Sequence, residues 1–156
     1  MTKLSISQMI DSGSWFRCEN ERKTQFRIRI TAFRSVELAE IEKPESVTRE
    51  PLSEGSLWLL SFSAVNLGKE GLSPYSLNSS FVIVDDEDCE FKTLLDTYLT
   101  CISKFSVETG IRRFSGIAPV LAPKMVANGA SAYLLPEQDF QNYSLKMVGA
   151  GTIEEI

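Results

Sequence analysis

The chain has 156 residues, of which 43% are hydrophobic and 24% charged, and its formal net charge is −5. A chain of this length and composition forms one globular domain with a sizeable core, without needing a metal or a disulfide. It contains no histidine, which excludes Ser-His-Asp and Cys-His nucleophiles and imidazole-ligated zinc. The negative charge disfavours nucleic acids and anionic lipids, and no apolar run is long enough to span a membrane. We therefore expect no nucleic-acid partner and no membrane insertion.

The first ten residues and the three cysteines bear on the compartment. Residues 1–10 lack the apolar run of a signal peptide, which predicts a cytoplasmic protein. The alternative is an exported protein whose signal has been removed. Cys18, Cys89 and Cys101 form no CxxC motif and are odd in number, which predicts free thiols in a reducing compartment. A disulfide between Cys89 and Cys101 stays open as the alternative.

The N-terminal third predicts an extension followed by a strand. Residues 1–23 are expected to pack on or beside the main domain, with either a short helix or an irregular cover at 5–11 and an edge strand beginning at Trp15. Residues 24–36 then alternate between apolar and polar side chains, which indicates a half-buried antiparallel strand. Phe33 breaks this alternation, which predicts either a β-bulge or a strand long enough to change sheets.

The middle of the chain predicts a loop, a strand and a hairpin. Residues 39–54 are acidic and contain two prolines, which favours a mobile loop within one domain. Residues 57–66 have apolar side chains on both faces and predict a central strand. Residues 81–84 read as a short buried strand, and an acidic turn at 85–88 leads into extended chain at 90–92.

The predicted helix and the C-terminal strands complete the set. Apolar residues recur with helical spacing over residues 93–105, which predicts one inserted helix with Thr93 at its N-terminus. Segments 129–136 and 143–147 alternate and are separated by Pro136, so we interpret them as a closing hairpin. Residues 149–156 are expected to form a flexible tail. The predicted fold is all-β: an antiparallel β-sandwich of about seven strands over residues 24–148 with one helix.

The order of these elements resembles an immunoglobulin-like domain of unknown function that occurs in bacterial lipoproteins and secreted proteins. That group is similar in fold to the mycobacterial immunoprotective extracellular antigen. The matching segments are residues 27–36, 58–68, 81–86, 121–136 and Leu145. The resemblance implies an Ig-like β-sandwich, and it implies no catalytic residue and no cofactor.

An acidic cluster is the candidate metal site. Asp85, Asp86 and Asp88, with Glu87 between them, offer carboxylate oxygens of the kind that Ca²⁺ prefers. Their spacing lacks the alternation and the glycine of a calcium loop. The alternative is a solvated hairpin turn that discourages pairing between sheet edges.

Charged and aromatic residues on strands and loops are the candidate partner-binding residues. Arg27 and Arg29 lie on the polar side of the strand at 24–36, where they would bind an acidic partner together with Arg34, Arg112 and Arg113. Cross-strand pairing with glutamates is the alternative. Within loops, Glu45, Arg49 and Tyr75 are candidates for contacts with a partner, because loops on a rigid sandwich often carry recognition.

The predicted function is a non-enzymatic module that binds another protein or acts as an accessory, as a monomer or a weak homodimer. One alternative is a small acidic secretion chaperone, which would need two or three substantial helices. A second is a hydrolase that uses carboxylates alone, which would need two facing carboxyl groups.

Overall fold

The computed structural model describes residues 3–35, 56–73, 77, 79–93, 121–136 and 142–156. These ranges form two antiparallel sheets that face each other, with one short helix. The elements in chain order are β1 (Leu4–Ser5), α1 (Ile6–Ser12), β2 (Phe16–Glu19), β3 (Gln25–Ser35), β4 (Ser56–Asn66), β5 (Phe81–Val84), β6 (Glu90–Lys92), β7 (Val126–Leu135), β8 (Ser144–Met147) and β9 (Thr152–Glu155).

The strands divide into a sheet of four and a sheet of five. The four-stranded sheet has the order β1-β8-β5-β6, and the five-stranded sheet has the order β7-β4-β3-β2-β9. The predicted all-β antiparallel sandwich is confirmed. No helix within the described ranges has the length and apolarity needed to cross a membrane.

β3 and β4 supply most of the core of the larger sheet. Phe26, Ile28 and Ile30 of β3 are at most 1% exposed. The pairing of β3 with β4 shifts register between Ile30 and Ala32, so Thr31 is a bulge residue. The bulge brings Phe33 back to the inner face, where its ring lies 4.9 Å from that of Trp58. The predicted bulge is confirmed. It lies at Thr31, two residues before Phe33, where the alternation in the sequence breaks.

The core closes between the two inner faces. The rings of Phe26 and Phe81 meet edge to face with centroids 5.8 Å apart, although their strands belong to different sheets. Tyr143, Leu145 and Met147 are all buried, as the alternation around β8 predicts. The helix α1 joins β1 of one sheet to β2 of the other and buries two side chains, those of Ile6 and Met9.

Three expectations about the ends and connections are wrong. β7 pairs with β4 and β8 pairs with β5, so these two strands lie in different sheets and form no hairpin. Residues 1–23 are part of the sandwich, because β1 and β2 belong to its sheets and β2 lies between β3 and β9. The expected flexible tail contains β9, whose Ile153 packs into the core.

Several predicted features lie outside the described residues. These are most of the loop at 39–54 and all of the helix at 93–105 except Thr93. Thr93 itself forms an antiparallel bridge with Tyr133, which connects the end of β6 to β7. Cys18 and Cys89 are free thiols, so the alternative disulfide of Cys89 is not formed. Cys101 lies outside the described ranges.

Asn66 orders the loops at one end of the sandwich. It is 1% exposed, and its Nδ2 donates to the carbonyls of Glu70 (2.7 Å) and Leu121 (2.9 Å). Its Oδ1 accepts from the Gly68 N–H at 2.8 Å. One buried side chain therefore binds backbone groups from two separate segments and holds them together.

Replacing Asn66 with alanine is expected to lower the free energy of unfolding by about 2–4 kcal/mol, because the substitution removes three hydrogen bonds made by a buried side chain. Urea denaturation measures this change. Lys69→Ala, an exposed change in the same turn, is the control and should stay within about 0.5 kcal/mol of the parent. A similarly small effect for Asn66→Ala would contradict the role assigned to this side chain.

Candidate functional site

The outer face of the five-stranded sheet carries a row of arginines. The antiparallel register sets Arg27 of β3 opposite Arg17 of β2, and it sets Glu154 of β9 opposite Arg17 on the other side. Arg29 lies two residues along β3 and therefore shares the face of Arg27. Three cationic side chains from adjacent strands thus share one surface.

Trp15 extends this surface by one residue beyond β2. The Ile156 N–H donates to the Trp15 carbonyl at 3.2 Å, so the pairing between β2 and β9 continues past the strand ends. Because Trp15 is two residues before Arg17, its side chain shares the outer face. We name Trp15, Arg17, Arg27 and Arg29 the arginine–tryptophan patch.

Two of the three arginines of β3, Arg27 and Arg29, lie against the Trp15 indole. The guanidinium carbon of Arg27 is 5.3 Å from the ring centroid, and that of Arg29 is 5.1 Å from it. These distances fall within the range of cation–π contacts, each of which stabilises a partly exposed pair by about 0.5–2 kcal/mol. The ring therefore holds two like charges in a fixed position next to each other.

No ion pair among the described residues joins a carboxylate to these arginines, although Glu154 lies opposite Arg17 in the strand register. The ion pairs among the described residues join Lys3 to Asp88, Lys23 to Glu19 and Lys146 to Glu90. None of them involves the patch. The Nε of Arg27 is buried and has no hydrogen-bond partner. Cross-strand neutralisation by glutamates, the alternative considered for Arg27 and Arg29, is thus not found within the described ranges.

Of the other predicted partner-binding residues, the structure describes Arg34. Arg34 follows the bulge on β3, and its Nη1 donates to the Ser35 carbonyl at 3.0 Å. Outside the described residues are Glu45, Arg49, Tyr75, Arg112 and Arg113. Trp15 and Arg17 are members of the patch that are not predicted from the sequence, although their spacing of two residues places them on one face of a strand.

The acidic turn has a structural role in which one carboxylate orders the backbone. Asp85 is 4% exposed, and its Oδ1 accepts from the N–H groups of Glu87 and Cys89, both at 2.9 Å. Asp88 adopts a positive φ of 63° and binds Lys3. Within the described ranges, no group of three or more acidic or cysteine side chains converges in a way that could hold a metal ion.

The electrostatics of the turn follow from these contacts. The hydrogen bond from Lys3, followed by the charge of Lys3, lowers the pKa of Asp88. The charge of Asp85 is the largest of several effects that raise the pKa of the Cys89 thiol. Burial raises the pKa of Cys18, which lies in the core. Neither of these two thiols is therefore activated as a nucleophile at neutral pH.

Glu87 also raises the pKa of Cys89, after Asp85 and desolvation. Glu87→Gln is therefore expected to lower this pKa, increase the thiolate fraction at pH 8, and speed alkylation of Cys89 by iodoacetamide on the order of twofold. Peptide mass spectrometry across pH 7–10 gives the rate at Cys89 alone. Glu21→Gln, which removes a distant charge, is the control. An unchanged midpoint of the pH profile for Glu87→Gln would refute the contribution of Glu87 to the pKa of Cys89.

Comparisons with known proteins place the fold but not the activity. No family model and no curated protein matches the chain. Its structure is similar to a conserved hypothetical protein from Bacillus anthracis, with a TM-score of 0.53 and 16% identity over 90% of this chain and 96% of that one. It also aligns with the secreted protein MPT63 from Mycobacterium tuberculosis, with a TM-score of 0.47 and 8% identity over 99% of this chain and 88% of that one. The β-sandwich that the resemblance implied is present in the two facing antiparallel sheets of this chain.

Proposed function

We propose that this protein is a non-enzymatic binding module whose arginine–tryptophan patch recognises an acidic segment of another protein. One observation carries the proposal: two guanidinium groups are held on a single indole, and no described carboxylate pairs with them. Like charges held together without a counter-ion favour a ligand that supplies the missing negative charge.

The chemistry of the patch suits carboxylates. A guanidinium presents its N–H donors as a planar fork that matches a carboxylate, and stacking on an aromatic ring holds that fork in place before binding. Arg17, beside Arg27, is exposed and adds a third fork. Because the indole already restricts the side chains of Arg27 and Arg29, these arginines lose less conformational entropy when a ligand binds.

The surroundings of the patch suit a protein partner. Val126 is 58% exposed and Ile156 is 68% exposed, and the sheet register places them at opposite ends of the rows that contain the arginines. A central cluster of arginine and tryptophan flanked by apolar side chains has the residue types that dominate protein interfaces. The negative net charge of the whole chain disfavours nucleic acid as the ligand.

Neither alternative function gains support from a described feature. The secretion chaperone would need several substantial helices, and the one helix that lies entirely within the described ranges has seven residues. The carboxylate-only hydrolase would need two facing carboxyl groups, and the described acidic turn uses its buried aspartate to bind its own backbone.

Replacing Arg27 and Arg29 together with glutamine is expected to weaken capture of the partner by at least about tenfold, because charge-assisted hydrogen bonds contribute roughly 1.5–3 kcal/mol each. Affinity capture from the source organism, followed by quantitative mass spectrometry, measures the loss. Arg22→Gln is the matched control, since it removes the same charge from an exposed turn residue outside the patch. A second double variant with lysine at both positions keeps the charge and should fall in between.

Two results would count against the patch. Equal recovery of the partner by the parent protein and by the double glutamine variant is one. The other is loss of the partner only when Glu45 and Arg49 are reversed in charge, which would place recognition on the loop at 39–54. Thermal unfolding of each variant shows that the fold is retained.

A further inference from the structure

β9 has the composition of the ligand that the patch is proposed to bind. Its sequence is Thr-Ile-Glu-Glu. Ile153 packs into the core opposite Cys18, while Glu154 lies on the outer face opposite Arg17. An acidic, extended segment of this same chain therefore already occupies the position next to the arginines.

β9 is held by few contacts. It is an edge strand that pairs along one side only, with β2. Of its four side chains, the structure buries only that of Ile153. Short edge strands with little buried apolar surface open at a lower free-energy cost than central strands do. β9 is thus the strand of the five-stranded sheet that the fold holds least firmly on these criteria.

Close packing around Gly151, in the turn before β9, fixes the position of this strand. Gly151 donates its N–H to the Val148 carbonyl at 3.2 Å. A Cβ at position 151 would lie 2.8 Å from the Cβ of Met147 and 2.9 Å from the Glu19 carbonyl oxygen. A side chain at this position would therefore push β9 away from β2 without altering the strand itself.

The free side of β9 is poorly suited to accept another strand. Glu155 lies opposite Phe16 on the side that faces the core, yet it is exposed. Charged residues directed toward the core side at a sheet edge are a common protection against edge-to-edge pairing. A partner strand would join this sheet at β2, in place of β9, more readily than it would join outside β9.

We propose that β9 is an internal occupant of the partner site. An acidic segment of the partner would displace it and pair antiparallel with β2, with an aliphatic side chain over Cys18 and a carboxylate beside Arg17. The inference rests on the proposed function and adds how the partner segment binds, which is by replacing β9 beside β2. Apparent affinity then depends on the fraction of molecules in which β9 is open.

The test uses the full chain and a labelled peptide with the sequence of residues 149–156, GAGTIEEI, as the probe. Ile153→Asp and, separately, Gly151→Val loosen β9 in the protein, and fluorescence anisotropy should show the peptide binding to each at least about tenfold more tightly than to the parent. Thr152→Ala, an exposed change on the same strand, should leave the affinity at the parent value. A peptide with aspartate in place of the isoleucine that corresponds to Ile153 should bind neither the parent nor the loosened variants.

Alkylation of Cys18 provides a second measurement. The thiol should react faster in Ile153→Asp and Gly151→Val than in the parent, and the peptide should restore its protection, since it covers the same face of β2. Thermal unfolding shows whether each variant still folds. If one of the two does not fold, the test uses the other.

Three outcomes would overturn strand replacement. They are equal affinity of the peptide for the parent and both loosened variants, peptide binding without protection of Cys18, and a parent dimer that exchanges β9 between copies. Failure of the proposed function is a different result, because it appears as unchanged capture by the double glutamine variant at Arg27 and Arg29.

Discussion

The strict alternation of β3 between the two sides of its sheet is the constraint on which the rest of the structure depends. Phe26, Ile28 and Ile30 are buried because they fill the space between the sheets, where the Phe26 ring meets that of Phe81. Successive side chains of a strand point to opposite faces. Arg27 and Arg29 are therefore directed outward by the same packing that forms the core, and a shift of one residue would bury both charges.

The bulge at Thr31 limits how far this arrangement extends. Before it, the even-numbered residues of β3 face the core. After it, Phe33 faces the core and packs against Trp58 and Tyr143. A strand without the bulge would place Phe33 outward and lose these ring contacts. The bulge thus returns Phe33 to the core and directs the next residue, Arg34, to the same outer side as Arg27 and Arg29.

The sequence predicted the elements whose signals are local and missed those that depend on distant pairing. Alternation within 24–36 and 57–66 is visible in the sequence because each strand buries one or both faces along its length. The sequence of β9 predicts a tail, because a strand of four residues with one buried side chain shows no recognisable periodicity. Its partner β2 also lies far away in the sequence, near the N-terminus. Likewise, the turn signals at Pro136 do not reveal that β7 and β8 enter different sheets. Arg27 and Arg29 of the patch are predicted from the alternation of β3, whereas the position of Trp15 depends on the register between β2 and its neighbours.

β2 joins the core and the patch within four residues. Its Cys18 contributes to the core, while Arg17 contributes to the outer face, and β9 covers both through Ile153 and Glu154. Any movement of β9 therefore changes two environments at once: it exposes apolar surface on one side, and on the other it moves Glu154 away from its position opposite Arg17. Exposed apolar surface and an unneutralised positive charge both raise the free energy of an empty site. A segment that supplies both an aliphatic and an acidic side chain relieves both costs, whereas a purely acidic or a purely apolar segment relieves only one. The selectivity of the site would thus arise from the two faces of a single strand rather than from the number of arginines.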